Sequence, residues 1–392
     1  MNAYVKRDLY LNRLIVRRDN GQIKAVTGPR RSGKSFLLDP IYKDYLLSKG
    51  IPEDNIIIIS FDIEDEDTPQ ELLDREKLKE YLYSRIASQT ENYYVFLDEI
   101  QEVDGFERIV NGLNKRQNVD VYVTGSNSKF LSSEINTIFR GRSDEVSVLP
   151  FTFREFCQDR QESVNDLWKE YYTYGGLPAL RKMPTAEQKT TYLQKLWKKT
   201  YLDDVVERHN VENREALEAI ADALCSSIGS LTNTTRITNT LGSVRKIKIT
   251  DDTVAKYIGY LEEAFLFNEA RRYNIKGNKY YENIKKYYSI DVGLRNARLN
   301  YRQLEQTHLM ENIIFNELLY RGYVVDVGVV EHRKMVDGKS EYKQYEVDFI
   351  ATDGNEKYYI QSAYEIETEE KREQELNSLK RIDDSFQKIV IV

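Results

Sequence analysis

Over the first 155 residues, short apolar runs bounded by charge alternate with longer charged stretches of helical period. The runs are IKAVTG at 23–28, NIIIISFDI at 55–63, YYVFLDE at 93–99, VDVYVTGS at 119–126 and EVSVLPF at 145–151. Their charge falls mainly at their ends, the pattern of strands buried on both faces, so the order β-α-β-α predicts a parallel sheet covered by helices. From about 160 to 270 the period becomes helical, as in LEAIADALCSSIG and VAKYIGYLEEAFLF, where apolar residues recur three and four apart. After about 305 a helix, HLMENIIFNELLYRG, leads into the strand-like runs YVVDVGVV, YEVDFIAT and YYIQSAY, a highly charged segment and a final apolar run, FQKIVIV. The expectation is an α/β chain of three parts: 1–155, 156–300 and 301–392. The chain stops inside its last apolar run without the turn or polar tail that follows a strand, as a deletion or an engineered truncation would leave it.

A length of 392 residues suits two or three domains, each able to bury a core. No run approaches the roughly 18 apolar residues of a membrane span, and the N-terminal MNAYVKRDLYLNRL carries charges where a signal peptide needs an apolar stretch. A cytoplasmic protein with no membrane partner is therefore expected. Cys157 and Cys225, with His209, His308 and His332, are too few and too scattered for a zinc cage or a disulfide framework. The net charge of -7 hides an asymmetry: residues 236–298 carry 13 basic against 7 acidic groups, whereas both flanks are acidic. That segment is either a face for phosphate backbones or a solvated face opposite acidic neighbours.

The candidate chemistry begins at Gly28-Pro-Arg-Arg-Ser-Gly-Lys-Ser35, a G-x-x-x-x-G-K-[ST] loop placed after a predicted strand and before an apolar-periodic helix. Such a loop wraps a β-phosphate in its backbone N–H groups; Lys34 reaches the β- and γ-phosphates, Ser35 ligates Mg²⁺, and Gly33 lets the backbone approach closely. Gly28, Arg30, Arg31, Ser32, Gly33, Lys34, Ser35 and the following Phe36 form the candidate ATP-binding set. The run YVFL ends in Asp98-Glu99, which places two carboxylates at the end of a buried strand: Asp98 as Mg²⁺ partner beside Ser35, and Glu99 as the group that orients or deprotonates a water. VYVTGSNS ends in Ser126 and Asn127, which are either γ-phosphate or water sensors or ordinary helix caps. Arg140 and Arg142 are candidate phosphate contacts in the same or a neighbouring subunit, with a solvated surface as the alternative. Glu99, Asn127 and Arg142 are the catalytic candidates.

The order of phosphate loop, Asp-Glu strand, T-G-S-N strand, G-R, LPFTFREF and YGGLP at 174–178 resembles a large prokaryotic group of AAA-type ATP-binding proteins, over nearly the entire chain. The resemblance implies ATP with Mg²⁺ and assigns Lys34 and Ser35 to the loop, Asp98 and Glu99 to the acidic strand and Ser126 or Asn127 to the sensor. It also implies a helical, winged-helix-like middle domain and a C-terminal domain resembling restriction-type nucleases. A homo-oligomer is a further candidate.

Residues 231–298 carry a helix-turn-helix cadence followed by RRYNIKGNKYYENIKKYYSID, where Arg271, Arg272, Lys276, Lys279, Lys285 and Lys286 interleave with tyrosines about a turn. A winged helix presents such a hairpin to DNA, so residues 236–298 are the candidate DNA-binding segment, although the helix before the hairpin carries Asp251, Asp252, Glu262 and Glu263. In the C-terminal third, Glu311 or Glu317 on a helix and Asp348 on a strand suit the nuclease scaffold. Where such nucleases place a Glu-x-Lys, this chain has Gln361 and Ala363, so Mg²⁺-dependent cleavage is not expected. Tyr364 and Glu365 are the candidates for a migrated site.

Overall fold

The computed structural model describes residues 4–61, 69–125, 137–139, 141–336 and 339–392. The chain divides into two compact units, Met1–Asp159 and Arg160–Val392. Helices and sheet after Arg160 belong to one compact unit.

The first unit is built on a five-stranded sheet of β1 (Ile23–Thr27), β2 (Ile56–Ser60), β3 (Tyr93–Asp98), β4 (Val119–Thr124) and β5 (Ser143–Ser147), in the order β2-β3-β4-β1-β5, with every pairing parallel. All five correspond to the apolar runs of the sequence. Helices α1 (Asp8–Arg17), α2 (Lys34–Phe36), α3 (Lys43–Ser48), α4 (Arg75–Arg85), α5 (Phe106–Leu113) and α6 (Phe153–Phe156) accompany it. Leu78 and Leu82 of α4 and Phe106, Ile109 and Val110 of α5 close one sheet face over Ile57, Val95 and Val121. On the other face Tyr42, Phe96 and Tyr122 pack ring against ring. Lys24, charged yet fully buried in β1, pairs with Asp120 of β4, whose other oxygen accepts the Tyr122 hydroxyl at 2.6 Å. A buried cation and anion are thus each satisfied.

The second unit contains α7 (Val164–Tyr174), α8 (Ala186–Lys195), α9 (Asp203–Arg208), α10 (Arg214–Ser226), α11 (Thr234–Thr240), α12 (Asp251–Glu263), α13 (Val292–Arg298), α14 (Gln306–Arg321) and α15 (Glu369–Leu379). Its mixed sheet comprises β6 (Phe267–Asn274), β7 (Lys279–Ser289), β8 (Val324–Val336), β9 (Lys339–Asp353), β10 (Glu356–Ser362) and β11 (Gln387–Ile391), in the order β11-β10-β9-β8-β6-β7. The hairpin β6–β7, expected as a wing, is part of this sheet, because β6 pairs in parallel with β8 from Arg272↔Val327 to Asn274↔Val329. Met310, Ile314 and Phe315 of α14 cover one face, and Leu379 of α15 covers the other.

The YGGLP segment has a packing role here. A Cβ on Gly175 would lie 2.1 Å from Asp291 Oδ1, and one on Gly293 would lie 1.8 Å from the Tyr174 carbonyl oxygen. The buried Asp291 carboxylate accepts the N–H groups of Gly176 at 2.8 Å and Leu294 at 3.0 Å, and so ties this turn to the start of α13.

Candidate functional site

Because β1, β3 and β4 run parallel in adjoining register, their C-terminal ends share one sheet edge, and the candidate residues meet there. The loop after β1 turns through Gly28 (φ 131), Arg31 (φ 65) and Gly33 (φ 93). A Cβ on Gly28 would stand 2.2 Å from the Val148 carbonyl oxygen, so close approach of two backbones requires glycine there. Lys34 begins α2, is 5% exposed, and donates through Nζ to the carbonyls of Gly28 and Pro29, both at 3.1 Å. Burial lowers its pKa, and the nearby Glu99 and Asp98 carboxylates pull it back up. Ser35 hydrogen-bonds Asp98 through its hydroxyl.

Asp98 ends β3. Its carboxyl is pushed above the usual range by burial, while the Thr124 and Ser35 hydroxyls oppose that shift. Thr124, at the end of the intervening β4, is fully buried; its hydroxyl donates to Asp98 Oδ1 at 2.5 Å and accepts the Glu99 N–H at 2.9 Å. Glu99 sits in the left-handed region (φ 50), an uncommon backbone for glutamate, and its carboxylate accepts from Gln101 Nε2 at 2.5 Å. Thr124 and Gln101, which orient the two carboxylates, escaped the sequence reading. The threonine stands in VYVTGS just before the residues read as sensors, so an oxygen at the end of a strand beside the acidic strand was the available signal.

Ser126, Asn127 and Arg140 lie outside the described residues. Arg30 is half-buried, Arg31 is exposed, Ser32 is buried, and the ring of Phe36, 48% exposed, meets Tyr4 edge-on at 5.7 Å. Arg142 precedes β5, and Ile23 is in register with Ser143, so Arg142 lies at the sheet edge opposite the phosphate loop. Five strand residues, about 13–17 Å, separate the two edges, too far for Arg142 to touch a phosphate in its own loop.

The second unit bears on two further expectations. Several cations of the basic hairpin have acidic partners in the same unit: Lys285 pairs with Glu269 at 2.5 Å, Lys276 with Asp383 at 3.6 Å and Arg271 with Asp326 at 3.9 Å, while the buried Arg272 lies over the Tyr281 ring and Lys279 is exposed. Lys286 is buried between Glu311 at 2.9 Å and Glu346 at 2.7 Å. Part of the positive charge of 236–298 is thus met by acidic neighbours in the same unit, as in the second of the two readings of that segment. Glu311 of α14 and Asp348 of β9 do converge as expected, whereas Glu317 pairs with Arg321 at 2.7 Å. Asp348 is pushed up to about 6, by burial first and then by Glu311, and it accepts the Ser362 N–H and hydroxyl at 2.7 and 2.8 Å. Among the described residues, no group of three or more His, Cys, Asp or Glu side chains is arranged to hold a metal ion.

Residues 20–157 match a family model described as an AAA domain, and residues 165–305 match one described as a domain of unknown function (DUF8612). Over 394 residues the chain is 35% identical to an uncharacterised protein of Haemophilus influenzae, covering 99% of this chain and 93% of that one. The chain belongs to the family of that protein. It is also similar to an uncharacterised protein of Methanocaldococcus jannaschii, 29% identical over 366 residues that cover 90% of this chain and 77% of that one. Its first unit is an AAA-type P-loop domain, with the phosphate loop inside the matched residues. Among solved structures, the Aeropyrum pernix ORC1 protein in complex with DNA is 14% identical and covers 76% of this chain and 94% of that one at a TM-score of 0.33. A DNA polymerase III gamma subunit-related protein from Thermotoga maritima is 13% identical, covering 65% and 91% at 0.31. Likenesses at these scores carry no argument about DNA or assembly. Among the described residues, no helix is long and apolar enough to cross a membrane.

Proposed function

We propose that the AAA domain binds ATP with Mg²⁺ in the loop 28–35 and hydrolyses it slowly, and that nucleotide state is read out by the second unit. The observation that carries this reading is the meeting of Lys34, Ser35, Asp98 and Glu99 at one sheet edge, with Thr124 holding both acidic residues. The hard oxygens of the hydrogen-bonded Ser35 hydroxyl and Asp98 carboxyl fit Mg²⁺, which when bound neutralises charge between the β- and γ-phosphates. Lys34 binds the β- and γ-phosphates, the loop N–H groups orient them, and Glu99 takes a proton from the attacking water. The preference for adenine follows the AAA assignment. Arg142 enters this reading only as a group offered to a neighbouring copy, in a homo-oligomer.

Nuclease chemistry has no supporting observation. The Lys286 ammonium is already paired with Glu311 and Glu346, and Gln361 is engaged, its Nε2 donating to Glu375 at 3.2 Å. The test of the ATPase reading is phosphate release by the purified chain with MgATP. Glu99→Gln is expected to lower turnover by about 10²–10⁴-fold while leaving nucleotide affinity intact, the loss that removal of a water-activating base produces. Equal turnover by wild type and variant would make Glu99 structural.

A further inference from the structure

Arg7 precedes α1 and lies 25 residues before the loop carbonyl it reaches, yet it is 3% exposed and its guanidinium is fully engaged. Nη1 donates to the Ser32 carbonyl of the phosphate loop at 3.0 Å, Nη2 donates to the Leu149 carbonyl at 2.7 Å, and Nε pairs with Glu155 Oε1 at 3.1 Å. The rings of Tyr10 and Phe151 lie against it at 4.6 and 5.0 Å. Glu155 is fixed in turn: its Oε2 accepts the Thr152 N–H at 3.1 Å, and its own N–H donates to the Thr152 hydroxyl at 3.2 Å, a reciprocal cap of α6. The same segment supports the loop elsewhere, since Val148 N–H donates to the Thr27 carbonyl at 2.8 Å and Val148 backs Gly28.

In a planar trans peptide the C=O and the following N–H point in opposite directions. A guanidinium that holds the Ser32 carbonyl on the outer side of the loop therefore also directs the Gly33 N–H the other way, into the cradle. Three donors fixed on three acceptors leave that peptide little freedom to rotate, which keeps the donor aimed before any ligand arrives. We infer that Arg7, held by Glu155, is a positioning residue that presets the phosphate loop for the polyphosphate of a nucleotide. The inference rests on the nucleotide-binding reading and adds to it a residue outside the loop motif and a link from the loop to α6.

The test uses the full chain and MgADP in calorimetry, with steady-state MgATP hydrolysis alongside. Arg7→Met alone would leave Glu155 buried without its partner, so the informative variant is Arg7→Met/Glu155→Gln, which removes both charges and keeps a side-chain oxygen for the Thr152 N–H. It should melt close to wild type without nucleotide yet bind MgADP about ten- to a hundredfold more weakly, the size of one lost charge-assisted hydrogen bond. KM for MgATP should rise by a similar factor with kcat held within about twofold, the signature of lost binding and not of lost chemistry. Arg7→Lys, which keeps the buried charge but not the fork, should fall between the two and also serves if the double variant does not fold. Wild-type affinity in Arg7→Lys and in a folded double variant overturns the inference and leaves the nucleotide reading standing. Failure of the wild-type chain itself to bind MgADP overturns the nucleotide reading, and the inference with it.

Discussion

Replacing Thr124 by valine keeps the shape of a fully buried side chain and deletes the hydroxyl that holds both acidic residues. Donation to an ionised carboxylate is worth about 1.5–3 kcal/mol, and stranding the Glu99 N–H costs about 1–3 kcal/mol if no water replaces the partner. Asp98 is only half-buried and water can take over part of its loss, so about 2–4 kcal/mol in total is expected to be divided between folding and catalysis. The catalytic share has a definite direction. The Asp98 carboxyl already titrates above its ordinary range because of burial, and removing the opposing Thr124 donor raises it further. An Asp98 whose carboxylate form is less favoured holds Mg²⁺ less well, so a higher Mg²⁺ concentration should be needed for half-maximal rate. Glu99 loses the bond that fixes its left-handed backbone. Urea unfolding should show a loss of about 1–2 kcal/mol, phosphate release should fall by about tenfold or more, and Thr124→Ser should restore both. A Thr124→Val chain with wild-type turnover and an unchanged Mg²⁺ requirement would refute the reasoning.

Asp291 is fully buried, and burial pushes its carboxyl up to about 6 against the opposing Gly176 and Leu294 N–H groups. The folded chain thus holds a proton between about pH 4 and 6 that the unfolded chain has lost, so wild type should gain up to about 3 kcal/mol over Asp291→Asn as pH falls through that window; a stability difference flat from pH 4 to 7 would contradict this. Lys286→Met should destabilise the second unit by about 3–5 kcal/mol, because Glu311 and Glu346 lose the buried ammonium between them; an unchanged urea midpoint would show that the cluster contributes nothing. Incubation with supercoiled, linear and branched DNA in Mg²⁺ or Mn²⁺ should give no cleavage, and cleavage abolished by Asp348→Ala would restore the nuclease alternative.

The five strands of the AAA domain were legible because strands buried on both faces must be apolar runs, and the phosphate loop because its turn needs glycine at fixed spacing. Asp98 and Glu99 were legible from a local feature as well, two carboxylates ending an apolar run. Arg7 left no such trace, since its partners stand at 32, 149 and 155 and no periodicity joins them. The hairpin's two readings stayed open for the same reason: the tyrosine–lysine interleaving is local, but Glu311, Glu346 and Asp383, which pair with its cations, are not. For Arg142, its position after a charged stretch does not say which sheet edge the chain has reached, whereas the register with β1 does.

The central claim is tested most directly by calorimetric titration of the wild-type chain and of Lys34→Ala with a non-hydrolysable ATP analogue and Mg²⁺. One unit charge about 4 Å from a phosphate at an effective dielectric of about 20 is worth roughly 4 kcal/mol, so after partial replacement by water the variant should bind about 10²–10³-fold more weakly. The account predicts one saturable site per wild-type chain and near-loss of binding in the variant. Equal affinity in both, or no binding by either, would contradict it.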